Sequence, residues 1–230
     1  GFAVPKSRRV DASQPEGQEI VNVMQEFGVP FTYQHAEESY DEIGHLQLMD
    51  EAAGESLAKY LKKGVDPGQE SGKVDKTMEL LTSSNFKGQL AKLIATDILL
   101  GNADRINHYV MNFGNLMITG TNIVPIDSES DLTPNYSVGG TREALQKLAQ
   151  RPEEIVDNFL NGVEIYLRLE NDASAALFRQ HQMYRMLRDA LIRALKDASY
   201  VAAASTNKIA TGEHAALIKQ RQETLREYLR

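Results

Sequence analysis

The sequence predicts an α+β chain of two lobes, a small strand-rich front and a mainly helical back. Three observations predict this. Short apolar runs of strand length, Phe2-Ala3-Val4, Phe31-Thr32-Tyr33 and Leu46-Gln47-Leu48-Met49, punctuate the first part of the chain. The acidic and small residues from Asp50 to Gly54 then form a linker between a strand and a helix that begins near Ser56. Finally, Arg142–Gln150, Pro152–Asn161, Ala173–Ala203 and Glu213–Arg230 carry apolar residues at three-to-four spacing, the period of an α-helix. Residues 1–53 are therefore expected to form an N-terminal lobe with a hinge, and residues 54–230 a helical C-terminal lobe.

Within the front lobe, Phe2-Ala3-Val4 reads as a strand stopped by Pro5. The turn and strand that would normally precede it are missing, so further strands are expected upstream of Gly1. A helix is expected from Pro15-Glu16 to Gly28. Glu16 and Glu19 suit its first turn, where the helix dipole favours acids, and Ile20, Val23, Met24 and Phe27 make its apolar face. Residues 36–42 are acidic and read as a loop. Past the linker, Lys63 to Asp75 contains Gly64, Pro67, Gly68 and Gly72 and reads as a surface loop. Phe86 to Leu100 reads as a helix burying Leu90, Leu93, Ile94, Ile98 and Leu99, and Thr133 to Gly140 as turn-rich chain. Pro152 suits a first helical turn, and the Ala-rich string Val201 to Ala204 suits a helix or a close helix–helix contact.

Composition narrows the function classes. A chain of 230 residues with 42% hydrophobic side chains can bury a full core. It has no apolar run long enough to span a bilayer, and Lys6, Arg8 and Arg9 interrupt any secretory signal. The absence of cysteine excludes disulfides and thiolate metal sites and suits a reducing, cytoplasmic location. With 32 acidic against 25 basic residues, the net charge of -7 argues against a nucleic-acid or anionic-membrane partner. His35, His45, His108, His181 and His214 lack metal-ligand spacing.

The stretch from Leu93 to Leu132 organises the rest. An apolar helix leads to Gly101-Asn102-Ala103-Asp104-Arg105, then to an Asn112-Phe113-Gly114-Asn115 turn. Two short apolar runs follow, Leu116-Met117-Ile118 and Ile123-Val124-Pro125-Ile126, and the second ends on Asp127. A hairpin that delivers an Asp at its far end, with an amide at its start and an Asp-Arg loop before it, is a plausible magnesium-nucleotide site. Magnesium takes hard oxygen ligands and needs few from protein. Taken singly, each residue has a simpler explanation: a surface ion pair for Asp104-Arg105, a turn for Asn112–Asn115, a cap for Asp127. Their order along the chain favours the joint reading.

These residues, with Phe2-Ala3-Val4-Pro5-Lys6 and Leu48-Met49-Asp50-Glu51, resemble the atypical branch of the protein-kinase-like fold. That branch includes the phosphoinositide 3- and 4-kinases and, closer to this sequence, the actin-fragmin kinase catalytic domain. The resemblance covers most of the first 132 residues. It implies an ATP- and Mg-dependent phosphotransferase acting on a protein Ser/Thr hydroxyl. Lys6 would touch the α and β phosphates, held by Glu19, and Met49, Asp50 and Glu51 would form the adenine-binding hinge. Asp104 would orient the acceptor hydroxyl with Arg105 beside it, and Asn115 and Asp127 would hold the metal. Asn112 is the rival for the metal amide, with Asn115 preferred because it directly precedes the strand. Asn102 is expected to support the Asp104 loop through its backbone, and His108 to be a loop residue.

The sequence departs from the kinase pattern in three places. No glycine-rich loop precedes Lys6, Ser128-Glu129 replaces Phe-Gly after Asp127, and Asn115 follows Asp104 by eleven residues where protein kinases use five. Two other readings stay open, a phosphoinositide or small-molecule kinase and a kinase-shaped binding module without catalysis. The oligomeric state is not legible.

Overall fold

The computed structural model describes residues 7–11, 14–15, 19, 45–49, 54–64, 66, 68–102, 112–126, 138–169, 171–205 and 213–230. The architecture is α+β, mostly helical, with small antiparallel sheets. The chain divides into two compact units, one of Val4–Ala52 and the other of Ala53–Arg230 with the first three residues.

In the smaller unit, β1 (Ser7–Asp11) runs antiparallel to β2 (His45–Met49), with Ser7 opposite Met49 and Asp11 opposite His45. β2 lies where the Leu46–Met49 pattern places it. β1 falls on Ser-Arg-Arg-Val-Asp, which carries little β propensity; pairing with a partner strand outweighs a composition that alone would not specify a strand. Pro15 and Glu19 are helical, within the helix expected from Pro15. The strands expected at Phe2–Val4 and Phe31–Tyr33 lie outside the described residues, as does the acidic loop 36–42.

The larger unit is organised on a three-stranded sheet in the order β3 (Glu55–Ser56), β4 (Leu116–Thr119), β5 (Asn122–Pro125), all antiparallel. The hairpin β4–β5 closes through Gly120-Thr121, with Gly120 at φ 60°, the positive φ that a two-residue hairpin turn needs at its first position. Leu116, Ile118 and Ile123 face the core. Gly54 sets the entry of β3: its φ is 104°, and a Cβ there would overlap the carbonyl of Ile118. Gly54→Ala is therefore expected to cost about 1–3 kcal/mol for the positive φ alone, with the backbone overlap added. A urea midpoint equal to wild type would show that β3 shifts freely and that this reading is wrong.

Ser56 then caps α1 (Leu57–Lys62), its Oγ accepting from the Lys59 N–H at 3.2 Å, as the sequence leads one to expect. α2 (Glu70–Thr82) corrects the loop expected over Lys63–Asp75, which holds only as far as Gln69. Gly72 falls in the first turn, away from the helix interior, and Val74, Met78 and Leu81 are buried at i, i+4 and i+7. Burial of this stripe outweighs the glycine signal. α3 (Ser84–Leu100) matches the expected helix and buries Leu90, Leu93, Ile94, Ile98 and Leu99.

α4 (Val138–Gln150) begins earlier than expected, so Val138 to Gly140 are helical instead of turn-rich. α5 (Pro152–Arg168) opens on Pro152 and continues well past Asn161. Gly162, the residue after the expected end, is a point of close approach: a Cβ there would lie 3.0 Å from Cζ of Phe113. The single helix expected over Ala173–Ala203 is two, α6 (Asp172–Gln180) and α7 (Tyr184–Ala204). His181 breaks it with an extended backbone, φ -59° and ψ 134°, while its Nδ1 accepts from the Met183 N–H at 3.2 Å and its Nε2 lies 3.2 Å from Asp75 Oδ1. The tail closes with α8 (Glu213–Tyr228).

The core lies between α3, α5 and α7, with Phe86, Phe113, Phe159 and Phe178 fully buried. Arg188 of α7 clasps Asp157 of α5 with two hydrogen bonds, 2.6 and 2.8 Å. In α5, Glu164 is buried between Arg168 at 2.6 Å and Arg179 at 2.8 Å. No helix among the described residues is long and apolar enough to cross a membrane.

Candidate active site

α3 ends in a closure formed by Gly101 and Asn102, two residues before Asp104 in the chain. Gly101 adopts φ 70°, its N–H donates to Ile98 O at 3.3 Å, and the Asn102 N–H donates to Asp97 O at 2.8 Å. This is a Schellman closure, available because glycine enters the left-handed region without a Cβ penalty. Asn102 is buried, and its side-chain amide donates to Oδ1 of Asp97 at 3.2 Å, itself 1% exposed. The expected support role of Asn102 is thus directed back into α3, within the described residues.

A second clamp comes from the far end of the chain. Arg221 of α8 is buried, and its Nη1 donates to Leu99 O at 2.9 Å. A guanidinium on a last-turn carbonyl satisfies an acceptor the helix leaves open and meets the negative end of its dipole. Asn102 is singled out by the sequence, whereas its partner Asp97 and the second clamp, Arg221, are not. Asp97 had a readable signal, an acid on an otherwise apolar face just before a Gly-Asn pair. Arg221 had none, since its partner is 122 residues away.

The Oδ1 of Asn112 accepts from the Gly114 N–H at 3.1 Å and so caps the 3₁₀ turn Phe113–Asn115. The Asn112 side-chain oxygen is thereby taken up by the turn. Phe113 anchors the turn, its ring 5.5 Å from Phe159 and 5.1 Å from Tyr166, centroid to centroid. Asn115 is half-buried; its N–H donates to Asn112 O at 3.2 Å and its carbonyl accepts from the Ile126 N–H at 3.0 Å. Ile126 is the residue immediately before Asp127. The hairpin is also fastened to α3: Gln89 Oε1 accepts from the Ile123 N–H at 2.7 Å, and Asn85 Nδ2 donates to Thr121 O at 3.2 Å.

Of the candidate residues, Asn115, Glu19 and Met49 are described. Glu19 is exposed on a helical turn and Met49 ends β2, both in the smaller unit, whereas Asn115 belongs to the larger one. Lys6, Asp50, Glu51, Asp104, Arg105, Asp127 and also His108 lie outside the described residues. Among the described residues no group of three or more acidic or histidine side chains is placed to hold a metal ion. The described residues nearest the two aspartates in the chain are Gly101 and Asn102, closed onto α3 before Asp104, and Asn112 to Ile126, the turn and hairpin between Asp104 and Asp127.

The chain matches no protein-family model, and no curated protein matches it at a significant level.

Proposed function

We propose that this protein is an ATP- and Mg-dependent phosphotransferase of the atypical kinase type, transferring the γ-phosphate to a protein Ser/Thr hydroxyl. One observation carries the reading. The 3.0 Å bond from the Ile126 N–H to the Asn115 main-chain carbonyl ties the residue before Asp127 to the residue proposed to give the metal its amide, at the base of a hairpin that follows Asp104 in the chain.

The donor chemistry suits magnesium. A carboxylate and an amide are hard oxygen donors, and a site built on one Asp and one Asn leaves coordination positions for water and phosphate. Asn115 and Asp127 would hold the ion, which when bound neutralises charge on the phosphate oxygens. Asp104 would accept and orient the attacking hydroxyl, and Arg105 would balance charge beside it. The buried clamps of Asp97, Asn102 and Arg221 would hold the loop's first residues in place, so that positioning costs little at the moment of transfer. The roles of Lys6, Glu19, Met49, Asp50 and Glu51, the two-lobed kinase plan, and a cytoplasmic location rest on the sequence.

The direct test is thermal unfolding of the full chain with ATP and Mg, and with ATP and a chelator. At a hundredfold excess over Kd, binding is expected to add about 2.7 kcal/mol, a rise in Tm of roughly 5–10 °C that the chelator abolishes. Transfer from γ-labelled ATP to a panel of Ser/Thr peptides should accompany it. If neither stabilisation nor transfer appears, the nucleotide reading falls.

A further inference from the structure

Remote from the hairpin in sequence, α1, α2, α5 and α6 border a cavity of about 110 Å³. Its polar lining is Lys63, Lys73, Asn171 and Ser174, with Leu61 and Leu167 as apolar wall. Ser174 is 2% exposed, yet its Oγ has no hydrogen-bond partner among the described residues, an expensive state for a hydroxyl inside a protein. Asn171 and Ser174 are the N-cap and third residue of α6, so the first turn of a nine-residue helix borders the space.

The remaining groups are already committed in ways that define what is missing. Asn171 Oδ1 accepts from the Ala173 N–H at 2.7 Å, and its Nδ2 donates to Glu70 Oε1 at 3.2 Å. Lys73 donates to the Tyr60 carbonyl and lies 4.5 Å from the centroid of the Tyr60 ring, which fixes the ammonium at the wall. Burial, and then the Glu55 and Glu79 carboxylates, push the Tyr60 phenol above its ordinary range, so it brings no negative charge. Lys63 is exposed, at the rim. Among the described residues the lining therefore combines two lysines, the first turn of a helix and an unsatisfied hydroxyl, with the Glu70 carboxylate one hydrogen bond behind Asn171.

We infer that this cavity binds a single small oxyanion of the phosphate class, with Ser174 Oγ donating to one oxygen and Lys63 at the rim balancing its charge. That volume is ample for a free ion of a few heavy atoms. Its lining shares no residue with the set proposed for phosphoryl transfer.

The test is calorimetric titration of inorganic phosphate into the full chain at constant ionic strength, for wild type, Ser174→Ala, Lys63→Gln and Asp127→Ala. Saturable one-to-one binding is expected for wild type and Asp127→Ala. Ser174→Ala should bind at least tenfold more weakly and Lys63→Gln a few-fold more weakly. Ser174→Ala removes a hydroxyl that bonds to nothing, so without phosphate it should unfold at the wild-type temperature or above, and lost binding is then not lost folding. Absence of saturable binding up to 20 mM phosphate, or equal affinity in wild type and Ser174→Ala, overturns the inference. Loss of binding in Asp127→Ala alone would place the phosphate at the other site and overturn it as well.

Discussion

Asp127→Ala is expected to lower transfer from ATP by on the order of 10²–10³, the usual effect of deleting one group that stabilises transition-state charge. Asp104→Ala should cost a comparable 10²–10⁴, the range for a residue that handles the proton of the nucleophile. The two losses should differ in kind. Without Asp127 the metal is held less well, so raising Mg should recover part of the rate. Without Asp104 the metal is unaffected, and added Mg should recover nothing. Single-turnover transfer across a Mg titration, for both variants, separates the roles. Unchanged transfer in both variants would refute the assignments outright, and equal Mg recovery in both would refute the division between them. Asn115 lies between the two in the chain and joins the hairpin base through its backbone, so its side chain can be removed while the Ile126 bond is kept.

Phe113→Ala is expected to destabilise the larger unit by about 3–5 kcal/mol, the range for deleting a buried aromatic ring. For a chain of this size that corresponds to a fall in Tm of roughly 6–20 °C. The ring is fully buried, touches Phe159 and Tyr166, and fills the space that Gly162 leaves in α5, so the cavity would open at the junction of turn and helix. No polar group is stranded by the change, and the cost is packing alone. Phe113 also seats the turn that ends in Asn115. If the functional proposal is right, transfer at temperatures well below the new Tm should fall too, because the turn loosens before the unit unfolds. Phe113→Leu keeps most of the volume and should lose less on both counts. A urea-derived loss under about 1 kcal/mol for Phe113→Ala would show that the turn is not anchored by this ring.

Much of the scaffold was legible because its signals are local. Leu90, Leu93, Ile94 and Ile98 repeat at helical spacing, Ser56 stands where a cap is needed, Pro152 suits a first turn, and Gly120-Thr121 sits between two apolar runs. Each of these acts through neighbours a few residues away, so the chain specifies them before any tertiary contact forms. The order Asp104, Asn115, Asp127 is likewise a property of the sequence, and it supplied the functional reading.

Other features have no local signature because their cause lies far along the chain. Glycine marks loops when nothing packs on it, yet Gly72 lies in α2 and Gly162 inside α5, where buried stripes and the approach of Phe113 outweigh its preference. His181 divides two helices whose apolar spacing runs straight through it, held by Asp75 from another helix. Arg221 reaches Leu99 across 122 residues, and Ser174 is orphaned in a cavity assembled from four helices. Periodicity reports which face of a segment is apolar; burial decides what that face meets, and a long-range hydrogen bond or a cavity exists only once the helices have packed.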